Sequence, residues 1–186
     1  MGTLTDHFKS IVAASVVAVG FSLPAMADDA ALDALFDDLQ AAQGADADRI
    51  GDQIRAEWSK SGSAAIDLLL RRGQEAIDAG DPLAASEHCT AVIDHAPDFA
   101  EGYSCRAIAY YLLDLPGPAL DDLRQTLALN PRHFDAMRGF AVMLEELERP
   151  EEALEVYGRV LDIYPANTLA QEAADRLKLQ FEGQAL

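Results

Sequence analysis

Residues 134–167 read FDAMRGFAVMLEELERPEEALEVYGRVLDIYPAN, and this stretch decides the fold. From Met137 to Leu144, apolar residues recur at i, i+3, i+4 and i+7, the spacing of one helical face. Pro150 then stands where a second helix would begin, because proline is favoured at the first helical position, where its missing N–H is not needed. Pro165 blocks continuation of that second helix. The stretch therefore predicts a helix–turn–helix unit.

The same pattern recurs upstream with a period of 34 residues. Five sets of proline, small or aliphatic residues follow this period: Pro82, Pro116 and Pro150; Pro97, Pro131 and Pro165; Ala85, Ala119 and Ala153; Gly73, Ala107 and Ala141; Ile93, Leu127 and Leu161. Small residues at fixed positions indicate helices that cross closely, because only Gly or Ala leaves room for the backbones. The period predicts three helical hairpins, over residues 66–99, 100–133 and 134–167.

Composition excludes several classes of function. The chain has 186 residues, of which 50% are hydrophobic and 7% aromatic, which suits a helical protein with a packed core. Its net charge of −18 argues against sequence-independent binding to nucleic acid or anionic membranes, since phosphates repel such a surface. The sequence contains no G-x-S-x-G, H-E-x-x-H or phosphate-loop motif. We therefore predict no enzymatic activity and no cofactor.

The first 27 residues have the features of a secretory signal. The apolar run Ile11–Leu23 is followed by Ala-Met-Ala at residues 25–27, which fits the small-x-small rule for cleavage. The run is shorter than the roughly 20 apolar residues of a membrane span. We expect cleavage after Ala27, a periplasmic or secreted location, and no membrane attachment of the mature chain. The alternative is an uncleaved anchor.

The segments on either side of the repeats also predict helices. Residues 28–64 lack the repeat pattern but carry two apolar stripes, Leu32–Leu39 and Ile50–Trp58, each at helical spacing. We interpret them as an N-terminal helical cap or a degenerate repeat, with Trp58 in the core. The alternative is that the first helix is a mobile acidic arm. Residues 168–181 predict a terminal helix that covers the last repeat, as solenoids require.

The period of 34, the small residue in the first helix, the Ala of the second helix and the closing proline resemble the tetratricopeptide repeat (TPR) family. The resemblance covers the three hairpins within residues 65–186 and implies an all-α solenoid of helix–turn–helix repeats. Two positions depart from it, because Arg72 and Arg106 stand where the family usually has an apolar residue.

The resemblance also implies a binding groove for a protein or peptide, lined by the first helix of each hairpin. The matching positions in this chain are Leu70, Gln74, Ile77, Asp78, Ser104, Cys105, Ile108, Tyr111, Leu112, Asp135, Arg138, Val142, Glu145 and Glu146. The middle of this set is apolar and its ends are acidic, which suits an extended peptide or an amphipathic helix with basic flanks. Arg138 is its one basic residue, so the family's clamp for acidic tails is not expected. Alternatively, Ile77, Ile108 and Val142 only complete the packing.

The resemblance places Cys89 and Cys105 on touching helices. An exported protein could join them in a disulfide. The alternative is a free thiol at Cys89 that packs as a small hydrophobe. Residues 46–57 partly match a calcium loop, but Ile50 offers no ligand at the fifth position, so a helix is preferred and no metal site is predicted.

Three classes of function are compatible with these features. The first is a binding scaffold or assembly factor that uses the groove. The second is a structural subunit that associates with itself through its terminal helices. The third is an enzyme whose catalytic site consists of scattered carboxylates, and no sequence motif supports it. The residues favour the first class and leave the partner and the oligomeric state open.

Overall fold

A computed structural model describes the backbone of residues 25–184, and this part of the chain is entirely helical apart from its connections. Its helices are α1 (Ala25–Ala41), α2 (Gly44–Trp58), α3 (Ala64–Asp78), α4 (Pro82–His95), α5 (Ala100–Leu112), α6 (Pro116–Leu129), α7 (Phe134–Glu146), α8 (Pro150–Ile163) and α9 (Thr168–Gln184). The predicted signal peptide lies outside the described residues, except for residues 25–27 at the start of α1. Within residues 25–184, no helix has the length and apolar character needed to cross a membrane.

Three antiparallel hairpins, α3–α4, α5–α6 and α7–α8, form the body of the molecule. The second helix of each hairpin begins at Pro82, Pro116 or Pro150, as predicted. Asp81 caps α4, because its carboxylate accepts a 3.1 Å hydrogen bond from the backbone N–H of Ala84. Successive hairpins stack through α4 on α5 and α6 on α7. The prediction of an all-α repeat solenoid is confirmed.

The alanines of the 34-residue period lie where helices approach closely. Ala85, Ala119 and Ala153 are fully buried, one in the second helix of each hairpin. Ala107 and Ala141 occupy the matching buried position of the first helices α5 and α7. The period is therefore a packing requirement that each hairpin meets in the same way.

A disulfide joins α4 to α5 through Cys89 and Cys105, whose Cα atoms are 5.8 Å apart. Gly73 on α3 makes room for it, since a Cβ at this position would lie 2.6 Å from one sulfur and 2.8 Å from the other. The first helix of the next two hairpins carries alanine at this position. Of the two alternatives for Cys89, a disulfide with Cys105 or a free thiol, the structure contains the disulfide.

Arg106 replaces an apolar residue of the family pattern by an ion pair. Its Nε and Nη2 donate to the two carboxylate oxygens of Asp122 at 2.7 and 2.8 Å. The guanidinium also lies 5.5 Å from the centre of the Tyr110 ring. Asp122 is buried, and this bidentate ion pair satisfies both charges inside the second hairpin.

The N-terminal pair α1–α2 packs against the third hairpin. The indole of Trp58 stacks on the ring of His133, with 4.4 Å between ring centres, and lies 4.9 Å from the ring of Phe134. Beside this aromatic cluster, Arg55 Nε donates to Asp135 Oδ2 at 2.7 Å. Trp58 is buried, as expected, and the first helix packs in the core and is not a mobile arm.

Within residues 25–184, no further repeat stacks on the outer side of the first hairpin. Leu68 is 40% exposed, and Arg71 and Glu75 are exposed on the same side of α3. The positions one and two repeats later are Gly102, Cys105 and Ala109, then Ala136, Gly139 and Met143. In α5 these positions face α4, because a Cβ on Gly102 would lie 2.8 Å from Val92 and Cys105 is bonded to Cys89. Residues 28–64 are helical, as predicted, but they cover the third hairpin instead of continuing the stack.

The last helix, α9, follows the third hairpin. Ala170, Ala174 and Leu177 are buried in the same core cluster as α1, α2, α7 and α8. The third hairpin is therefore covered on two sides, by α9 and by the N-terminal pair.

Candidate partner-binding groove

A groove runs between α5 and α7, the first helices of the second and third hairpins. It contains a cavity of about 220 Å³, whose floor includes the buried side chains of Ala107, Leu123 and Ala136. The other lining residues are Ser104, Ile108, Tyr111, Asp135, Arg138, Gly139, Val142 and Met143. We refer to this space as the Gly139 cavity.

Six of the predicted groove residues line this cavity together: Ser104, Ile108, Tyr111, Asp135, Arg138 and Val142. Ile108 and Tyr111 are 46% and 42% exposed. Leu112 is 50% exposed on the same helix but does not line the cavity. The second and third hairpins thus provide an open apolar surface at the predicted positions of α5 and α7.

The predicted groove residues of α3 lie elsewhere. Leu70 is 1% exposed and packs with Cys89, Val92 and Cys105. The prediction that Leu70 lines the groove is therefore wrong, because its side chain fills the core beside the disulfide. Gln74 is exposed and Ile77 half-buried, and neither lines the cavity.

Glu145 is held by contacts within the chain. Its carboxylate accepts hydrogen bonds from Tyr157 Oη and from Arg176 Nη1, both at 2.8 Å. The bond from Arg176 holds the pKa of Glu145 below its ordinary value, and burial raises the pKa of Tyr157. Glu145 was predicted as a groove residue, but it fastens α7 to α8 and α9, because both of its partners lie on those helices.

A second, smaller cavity of about 140 Å³ lies at the C-terminal ends of α5 and α7, and we refer to it as the rim cavity. Its lining residues are Tyr111, Asp114, Pro116, Met143, Glu146 and Leu147. Tyr111 Oη donates to Glu146 Oε1 at 2.5 Å, and this bond raises the pKa of Tyr111. The carboxylates of Asp114 and Glu146 give this cavity a negative charge that attracts cations.

Gly139 was not among the predicted groove residues. One repeat earlier this position is Cys105, whose disulfide fills the space between α4 and α5. Outside its own helix, the nearest atoms to a Cβ on Gly139 would be the Leu123 methyl groups, at 3.8 and 3.9 Å. The space that Cys105 fills between the first two hairpins therefore stays open between the second and third. Aligning the repeats would have revealed the difference.

The described residues differ from the arrangements of side chains that hold metal ions. No group of three or more His, Cys, Asp or Glu side chains in residues 30–183 is arranged to hold an ion. Residues 46–57, which partly match a calcium loop, lie inside the helix α2. There Asp48 accepts a 3.0 Å hydrogen bond from Tyr164 Oη, which ties α2 to the end of α8.

Comparison with known proteins defines the family. No family model matches the chain. A protein of Rhizobium etli that is named as a TPR repeat-containing protein is 35% identical over 153 residues, which cover 82% of this chain and 75% of the relative. The chain belongs to the TPR family.

Solved structures agree with this assignment. The first TPR domain of Spaghetti (RPAP3), bound to the HSP90 peptide SRMEEVD, is 25% identical, with a TM-score of 0.60 over 63% of this chain and 93% of that chain. The TPR domain of Sgt2 from Aspergillus fumigatus is 18% identical, with a TM-score of 0.61 over 66% of this chain and 83% of that one. The fold is therefore that of a TPR protein-interaction domain.

Proposed function

We propose that this TPR protein is an exported scaffold or assembly factor that holds a segment of a partner protein in the groove between α5 and α7. One observation carries the proposal: Ile108, Tyr111 and Leu112 are exposed side by side on α5, next to the Gly139 cavity. Clustered exposed apolar side chains mark contact sites. Tyr111 is the best anchor, because a partner can bury its ring while its hydroxyl stays bonded to Glu146.

The charges around the groove favour a basic partner. Arg138 is the one Lys or Arg among the described residues that line either cavity, and its guanidinium is 3.8 Å from the carboxylate of Asp135. The rim cavity presents Asp114 and Glu146, and the whole chain carries a charge of −18. The Spaghetti domain was solved with the peptide SRMEEVD, which supports a peptide as the class of partner. Because Arg138 is the one cationic side chain among these lining residues and it lies beside Asp135, we expect a segment with basic residues and not an acidic tail like that one.

Export is part of the same proposal. The sequence of residues 1–27 supports a cleaved signal, and the disulfide between Cys89 and Cys105 is typical of proteins in an oxidising compartment. The mature protein should begin at Asp28 in the periplasm or outside the cell. N-terminal sequencing of the exported protein tests this, and residues 1–27 retained in a membrane fraction would contradict it.

The groove is tested with the mature chain as bait in an envelope extract. Tyr111→Ala should weaken capture of the partner, while helicity and melting stay nearly unchanged. Glu155→Lys, on the exposed side of α8, should matter much less. Capture by the native chain should fall as salt rises from about 0.05 to about 0.5 M, because the Debye length shortens severalfold. Equal effects of the two variants, or binding that ignores salt, would show that the groove is not the binding surface.

A further inference from the structure

We propose that the Gly139 cavity is a socket for one aliphatic side chain of the partner, and that the rim cavity takes a Lys or Arg side chain close to it in the partner's sequence. This inference rests on the proposed function and specifies the chemistry of the segment that the groove would hold.

The size and lining of the Gly139 cavity suit a single apolar side chain. Its volume of about 220 Å³ is below the roughly 300–1,000 Å³ of pockets that bury small-molecule ligands. Most of its lining is apolar, from Ala107 on the floor to Ile108 and Val142 on the walls. Asp135, at its polar end, is already bonded to Arg55. Ser104 and Arg138 also line the cavity, but among the described residues no fully buried side-chain nitrogen or oxygen lacks a hydrogen-bond partner.

Packing within the chain does not explain why residue 139 is glycine. Gly73 and Gly102 have no room for a Cβ, since such an atom would meet a neighbouring side chain at 2.6 and 2.8 Å. At Gly139 the closest approach would be 3.8 Å, which is ordinary contact, and alanine would also favour the helix. Because residue 139 has no side chain, a space between α5 and α7 stays open that no other side chain of the described residues fills. A partner side chain would fill that space.

The rim cavity places two carboxylates next to this socket, which would attract a basic side chain of the partner. Tyr111 and Met143 line both cavities, so the two spaces are separated by only one side chain on each helix. Asp114 follows the end of α5 and Glu146 is the last residue of α7, and both residues line the rim cavity. An aliphatic side chain in the socket would thus place a nearby basic side chain of the partner between two carboxylates.

The probe is a display library of random dodecapeptides, selected on the mature chain with its disulfide intact. We expect the enriched peptides to share a Leu, Ile or Met with a Lys or Arg close to it. An enriched peptide is then synthesised, labelled with fluorescein and titrated with the native chain and each variant. Gly139→Leu should lower the affinity for this peptide about tenfold or more, because the new side chain fills the apolar pocket. Gly139→Ala should lower the affinity less. Both variants should stay folded.

Two matched controls separate binding from stability and charge. Gly158→Ala, in open space on α8, makes the same change in a helix without touching the groove and should leave the affinity unchanged. The double change Asp114→Asn and Glu146→Gln should remove the preference for the basic residue and most of the salt dependence. The double change Glu151→Gln and Glu155→Gln removes two exposed carboxylates from α8 and should do neither.

The outcomes distinguish the two proposals. If no peptide is enriched, or if Tyr111→Ala binds the enriched peptides as the native chain does, the groove is not a peptide site and both proposals are wrong. If Tyr111→Ala lowers the affinity for the enriched peptides but Gly139→Leu does not, the proposed function stands and the assignment of the socket is wrong. Enriched peptides that lack a basic residue near the aliphatic one would overturn the assignment of the rim cavity.

Discussion

Gly73 packs directly against Cys89: a Cβ atom on the glycine would be 2.6 Å from the Cys89 sulfur. Such a distance is far inside ordinary van der Waals contact, and the disulfide leaves the sulfur little freedom to move away. The glycine of α3 and the bond between α4 and α5 are therefore one packing unit, which holds the first hairpin to the second.

We expect Gly73→Ala to lower the free energy of unfolding by about 1–3 kcal/mol, the usual cost of overpacking a core. Denaturation in urea measures the change. In the background Cys89→Ala and Cys105→Ala the sulfurs are gone, so the same substitution should be neutral or stabilising. Gly158→Ala is the control, because its Cβ would meet no neighbouring atom within 4 Å. A loss of the same size with and without the cysteines would show that the disulfide is not the cause.

Removing the carboxylate of Asp122 should destabilise the second hairpin. Asp122→Ala leaves the Arg106 guanidinium mostly buried without its partner, which costs about 3 kcal/mol. The neighbouring change Asp121→Ala breaks an exposed pair with Arg124 and should cost less than about 1 kcal/mol. Urea denaturation of both variants compares them. Similar small losses would mean that the pair contributes no more than a surface contact.

The placement of the N-terminal pair can be observed through the single tryptophan of the chain. Phe134→Ala removes a fully buried ring 4.9 Å from Trp58, which should lower the free energy of unfolding by about 3–5 kcal/mol. The Trp58 emission of the folded variant should shift to longer wavelength, because water gains access to the indole. Leu83→Ala, at a side chain that is 60% exposed on the first hairpin, should leave the emission unchanged. An unchanged spectrum in Phe134→Ala would contradict the packing of α2 on α7.

Tyr164 should contribute to a loss of stability in alkali. Burial, together with the hydrogen bond to Asp48, raises the pKa of Tyr164 to about 12 from an ordinary value near 10. The folded state thus favours the neutral phenol, and the stability linked to this group is present below pH 10 and is lost as the pH rises toward about 12.

Tyr164→Phe cannot ionise, so its free energy of unfolding should depend less on pH between about 10 and about 12 than that of the native chain. At neutral pH the variant should lose about 1 kcal/mol with the hydrogen bond to Asp48. Tyr103→Phe, on α5 and outside this cluster, is the control. Equal alkaline slopes for the native chain and Tyr164→Phe would refute the assignment.

Some site residues were predictable and others were not, for separate physical reasons. Ile108, Tyr111, Arg138 and Val142 line one cavity, because residues at helical spacing share a face of α5 and of α7. Leu70 was misplaced because its side chain packs with Cys89, Val92 and Cys105 in the core of the first two hairpins. Neither Gly139 nor its cavity was predicted, since the effect of a missing side chain depends on what the neighbouring helices put in its place.

The sequence by itself determined the helices, their pairing into hairpins and the stacking of three repeats, because these depend on local periodicity and on contacts between neighbours along the chain. Only the tertiary structure decided that α1–α2 folds past the first hairpin onto the third, where Trp58 meets His133 and Phe134. An apolar stripe shows that a helix face is buried, but it does not show which distant surface buries it. The open space beside Gly139 is decided in the same way, by side chains from three helices that no local pattern brings together.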